Sequence, residues 1–98
     1  MRHWLTINEP MTVALNGYSS GEHAPGRCSN RTFCAAGDSS TEPYLVAHNL
    51  LNAHAAAVEV YRQRFQATQR GEISLAVNSD FAYPFDAASP ADQAAAQR

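Results

Sequence analysis

Two short extended runs, residues 3–9 and 72–77, stand on either side of one long helical stripe, and that order constrains the fold most. In the first run Trp4, Thr6 and Ile7 suit a pleated, half-buried strand. It stops at Asn8-Glu9-Pro10. Proline has no N–H and holds the residue before it extended, so Pro10 ends the ladder and stiffens Glu9. In the second run Ile73, Leu75 and Val77 alternate with Ser74 and Ala76, a pattern for a strand packed on both faces. Between them Ala47, Leu51, His54, Val58, Tyr61 and Phe65 recur at helical spacing within a helix expected over 41–70. Ser39, Ser40 or Thr41 can cap it, Glu42 and Pro43 suit its first turn, and Gly71 suits its C′ position. Strand, helix, strand predicts parallel pairing with a right-handed crossover.

Residues 11–40 read as a long loop, punctuated by Asn16-Gly17, Pro25-Gly26 and Gly37-Asp38. A second loop is expected from Asn78 to Pro84. A further helix is expected over 89–98, with Ser89 as cap and Pro90 in its first turn. Strict alternation sends Asn8 and Glu9 to opposite faces. If both serve one site, the strand end must carry a bulge or kink.

Composition narrows the function. Seven Arg against nine acids leave a net charge of −2 and no basic stripe, so nucleic acid is not an expected partner. No apolar run approaches the roughly 18 residues of a membrane span. Met1-Arg2-His3-Trp4 has no leader-like apolar stretch, so no signal peptide is expected on this chain.

Trp4-Leu5-Thr6-Ile7-Asn8-Glu9-Pro10 resembles the Trp-x-Thr-x-Asn-Glu-Pro acid/base motif of glycoside hydrolase family 1, the retaining β-glucosidases and their relatives. Further stretches are similar to plant-type members: His23-Ala24-Pro25-Gly26-Arg27-Cys28, with Cys34 at their second loop cysteine, and Glu42-Pro43-Tyr44 through His54-Ala55. The family has Trp where this chain has Phe81, which loses the indole donor. The resemblance implies an α/β fold, a fragment of a (β/α)₈ TIM barrel. It would run from about strand 4 through a long loop, helix 4 and strand 5 to the start of helix 5. Such a barrel takes about 250 residues, so the 98 residues are expected to be one incomplete barrel domain without a second domain.

What the resemblance implies for function is a retaining β-glycosidase, a β-glucosidase before others, acting on a β-glycoside substrate without a cofactor. Glu9 would be the general acid/base and Asn8 would bind the sugar 2-hydroxyl. The bland readings are a surface Glu at a strand end and a turn-forming Asn. Myrosinases and klotho-like relatives replace that Glu, whereas Glu9 is kept. The family's nucleophile lies in an Ile/Val-Thr-Glu-Asn-Gly segment, and none occurs here, so the chain alone is expected to be inactive. The alternative is a short product of the same family that binds sugar or protein without chemistry.

His54 on the helix stripe, with His48 near its edge, reads as a hydrogen-bonded core histidine rather than a metal ligand. Cys28 and Cys34 read as a disulfide clasping a short loop. Two free thiols, or a zinc knuckle with His23, are the alternatives, and no metal is expected. Asn30-Arg31-Thr32 between them is an N-glycosylation sequon. The two features together suit a secreted or vacuolar parent.

Overall fold

The computed structural model describes residues 1–98. In chain order it has β1 (His3–Asn8), α1 (Pro10–Tyr18), α2 (Glu42–Arg64), α3 (Gln66–Gln69), β2 (Glu72–Ala76) and α4 (Pro90–Ala96). β1 and β2 pair in parallel, with His3 opposite Glu72, Trp4 opposite Ile73 and Leu5 opposite Ser74. The next pair is Asn8 opposite Ala76. β1 thus uses one more residue than β2 over the last step, which is the expected bulge at the strand end.

Three expectations need correction. The segment 11–40 is not all loop, because α1 follows the strand directly. Pro10 is its first residue, where a missing N–H costs nothing. Gly17 sits inside α1 because a Cβ there would lie 3.0 Å from the Ala24 carbonyl oxygen. Asn16-Gly17 therefore marks close packing, not a turn. The single helix over 41–70 is divided: α2 ends at Arg64, and the short α3 follows Phe65. The left-handed residue at its close is Arg70, not Gly71. Gly71 is required for space, since a Cβ would run into the carbonyl group of Arg2.

The caps fall at expected residues, but at α2 the bonding differs. Thr41 holds the N-cap position of α2 without a side-chain bond to the helix. Asp38 does the work from outside: its backbone oxygen accepts from the Thr41 and Glu42 amides, and its carboxylate accepts from the Ser40 amide and hydroxyl. Ser89 caps α4 as expected, accepting from the Asp92 amide.

Burial is sparse. Tyr61 is the one large side chain of the α2 stripe that is buried, while Leu51 is 57% and Phe65 45% exposed. The stripe is therefore only partly core. Where α2 lies against the sheet, Trp4, Thr6 and Ile73 line an open, mostly apolar cleft together with Ala57, Val60 and Tyr61. α1 lies against the first half of α2, with Ala14 buried near Pro43 and Ala47.

Candidate active site

Both strands run the same way, so their C-terminal ends lie together, and there the start of α1 meets the segment after β2. In parallel α/β sheets this is the edge where catalytic groups collect. Glu9 leaves β1 at φ 49°, ψ 60°, in the left-handed region and not in the extended geometry expected before Pro10, because the strand turns straight into α1. That conformation is unfavourable for a residue with a Cβ, by about 1–2 kcal/mol, and occurs where the surroundings impose it. Here two bonds impose it. The Glu9 amide donates to the Ala76 carbonyl of β2 at 2.8 Å, and the Glu9 carbonyl accepts from the Val13 amide as α1 begins.

The Glu9 side chain is exposed and held at one oxygen: Thr12 Oγ1 donates to Glu9 Oε2 at 3.1 Å. Asn78 Nδ2, just past β2, donates to Thr12 Oγ1 at 2.9 Å. The Asn78 Oδ1 is buried and accepts nothing. Asn8 is exposed, and its side chain makes no hydrogen bond within the chain. Position 8 therefore offers a free amide beside a free carboxylate oxygen. Neither Thr12 nor Asn78 stood out in the sequence. Thr12 lies one helical turn from Glu9, a spacing that could have drawn attention. Asn78 could be linked to it only through the strand register.

The residues expected outside this edge fall elsewhere. His54 Nδ1 lies 2.7 Å from Thr6 Oγ1, which also lies 3.2 Å from the Ser74 carbonyl oxygen. This is a histidine tied into the helix–sheet contact, as the bland reading has it. His48 is exposed. Phe81 packs edge-on against Tyr83, ring centres 4.9 Å apart, in the loop after β2.

Cys28 and Cys34 are joined as a disulfide, their Cα atoms 5.5 Å apart. Gly21 lies so close to Cys34 Sγ that no side chain fits there. Asn30 sits in the enclosed loop, exposed, with its Oδ1 accepting from the amide and hydroxyl of Thr32. Arg27 clamps this loop to α2 by a two-pronged pair with Glu42, at 2.9 and 2.6 Å. Hydrogen bonding by Arg27 holds the Glu42 carboxyl below its usual range, and Glu42 in turn raises the Arg27 guanidinium. Asp38 is likewise lowered, first by the Ser40 hydroxyl and amide.

The parallel strand pair thus carries an exposed carboxylate at its C-terminal edge. The family model described as "Glycosyl hydrolase family 1" matches residues 1–98. The chain belongs to glycosyl hydrolase family 1. Among family 1 proteins it is 52% identical over 100 residues to β-glucosidase 16 of Arabidopsis thaliana, covering all of this chain and 19% of that protein. A family 1 β-glucosidase from the fungus Humicola insolens, solved in complex with glucose, superposes with a TM-score of 0.89 at 47% identity, over 98% of this chain and 20% of that one. A rice β-glucosidase superposes with a TM-score of 0.88 at 45% identity, over 99% and 20%. The chain thus spans about a fifth of the length of the relatives it matches, and its parallel strands and helices are a piece of the family 1 barrel fold.

Proposed function

We propose that this chain is the part of a retaining β-glycosidase, first of all a β-glucosidase, that carries the acid/base, and that Glu9 is that group. The carrying observation is the strand end. One extra residue in β1 and a left-handed Glu9 break the strict alternation that would send two consecutive side chains to opposite faces. On this reading β1 and β2 are the fourth and fifth barrel strands, α2 is the fourth helix, α4 begins the fifth, and residues 1–98 belong to one barrel domain.

Glu9 gives a proton to the glycosidic oxygen as the bond to the anomeric carbon breaks. A second carboxylate about 5–5.5 Å away attacks that carbon, and Glu9 then takes a proton from the water that releases the sugar. Asn8 donates to the sugar 2-hydroxyl. The second carboxylate is not in this chain. In the intact enzyme Glu9→Gln should lower hydrolysis of an alkyl β-glucoside, whose leaving group needs protonation, by about 10²–10⁴-fold. A rate within twofold of the unaltered enzyme would overturn the assignment.

The disulfide and the sequon support a secreted or vacuolar enzyme with an N-linked glycan on Asn30. The Asn30 side chain is exposed, and its Oδ1, not its nitrogen, is the atom engaged by Thr32. Peptide mass spectrometry of the enzyme from its natural source, before and after N-glycan removal, tests this. An unmodified Asn30 peptide at full abundance before removal would refute it.

A further inference from the structure

We infer that Thr12 and Asn78 form a positioning relay that orients the Glu9 carboxyl and keeps its transferable proton on Oε1, the oxygen Thr12 does not touch. The inference rests on Glu9 being the acid/base.

The argument is one of counting protons. A threonine hydroxyl has a single hydrogen to give, and an asparagine nitrogen can only donate. Asn78 Nδ2 points into the Thr12 oxygen at 2.9 Å, so the Thr12 hydrogen must go elsewhere. The remaining partner is Glu9 Oε2, at 3.1 Å. A carboxyl oxygen that receives a hydrogen bond is best left as the carbonyl-type acceptor, so the acidic proton belongs on Oε1. The opposite amide orientation is not required by any other bond, since Asn78 Oδ1 is buried without a donor. Thr12 and Asn78 are half-buried while Glu9 is exposed, so the relay sits on the more enclosed side of the carboxyl, and Oε1 makes no bond within the chain. The backbone repeats the link, because the Glu9 amide hangs on Ala76 of the same strand that leads into Asn78.

In the first half-reaction the glycosidic C–O electron pair goes to the leaving oxygen, which takes the Oε1 proton, while a carboxylate nucleophile elsewhere in the enzyme bonds the anomeric carbon. Glu9 becomes a carboxylate, and the Thr12 bond strengthens because its acceptor is now charged. In the second half-reaction water bonds the anomeric carbon as the bond to the nucleophile's carboxylate breaks, and the water's proton returns to Oε1. The relay never gives up a proton. It aims one.

The test uses the intact enzyme and two substrates, an alkyl β-glucoside that needs protonation and a dinitrophenyl β-glucoside that does not. Thr12→Val should lower kcat/KM for the alkyl glucoside by about 10–100-fold, the worth of one hydrogen bond to a charged group. It should leave the dinitrophenyl glucoside within about twofold on the same reasoning. Thr12→Ser should restore the alkyl rate, and Asn78→Leu should repeat the loss. Equal losses on both substrates, or no loss on either, would overturn the relay. Glu9→Gln on the same pair separates the two readings. If it shows the substrate-selective loss and Thr12→Val does not, only the relay fails. If Glu9→Gln shows none, the acid/base assignment itself fails.

Discussion

At the scale of single residues, position 9 is held against its own preference. A side chain at φ 49° is uncomfortable, and glycine would relieve it. Glu9→Gly in the intact enzyme should therefore leave the melting temperature unchanged or raised while removing activity, a trade common where function stores strain. A clear drop in melting temperature would contradict this. Gly71→Ala should act in the opposite sense. The new Cβ meets backbone of Arg2, which cannot swing aside, and the loss should be about 1–3 kcal/mol by thermal denaturation. Glu9 and Asn8 were legible in the sequence because their heptapeptide is local. Thr12 and Asn78 were not, because their bond spans 66 positions and exists only once β2 has taken its register. The reason for Gly71 was hidden for the same cause: its neighbours are Arg2 and Tyr61, distant in sequence.

At the scale of elements, the loop between α1 and α2 is fastened by charge as well as by sulfur. Glu42 and Asp38 both have lowered carboxyl values, so they bind fewer protons folded than unfolded. Their stabilisation is fully present above the ordinary carboxylate range and is lost as pH falls through the lowered values. The melting temperatures of the intact enzyme and of its Glu42→Gln variant should therefore differ at neutral pH and converge below about pH 4. A difference that persists in strong acid would rule out the Arg27 pair as its source. α2 was legible from its period, and β1 and β2 from their residue types. α1 was not, since its nine residues include Gly17 and the β-branched Thr12 and Val13, and its packing against α2 overrides their weak preference. The break after Arg64 also has no local sign; Arg and Phe are tolerable in a helix, and only the Cα path back to β2 demands the turn.

At the scale of the whole molecule, the chain is a slab of 51 × 46 × 18 Å with a radius of gyration of 18.4 Å, where a compact chain of this length has about 13 Å. Six of 98 residues are buried, too few for an independent core. Leu5 on β1 is 66% exposed, and each strand has one unpaired edge. The isolated 98-residue chain should melt without a cooperative transition by circular dichroism, and it should not hydrolyse an aryl β-glucoside. A sharp two-state melt of a soluble monomer would instead favour a self-standing binding module. The parallel pair also makes Glu9 hostage to a distant length. Its amide is moored to β2, and β2 arrives only after the full run of α2 and α3. One residue inserted in that run could slide the second strand by a rung, about 3.3 Å. Misalignment of even 1 Å can cost about 10²-fold in rate. Such an insertion would displace Glu9 from far away, with every side chain around it still intact.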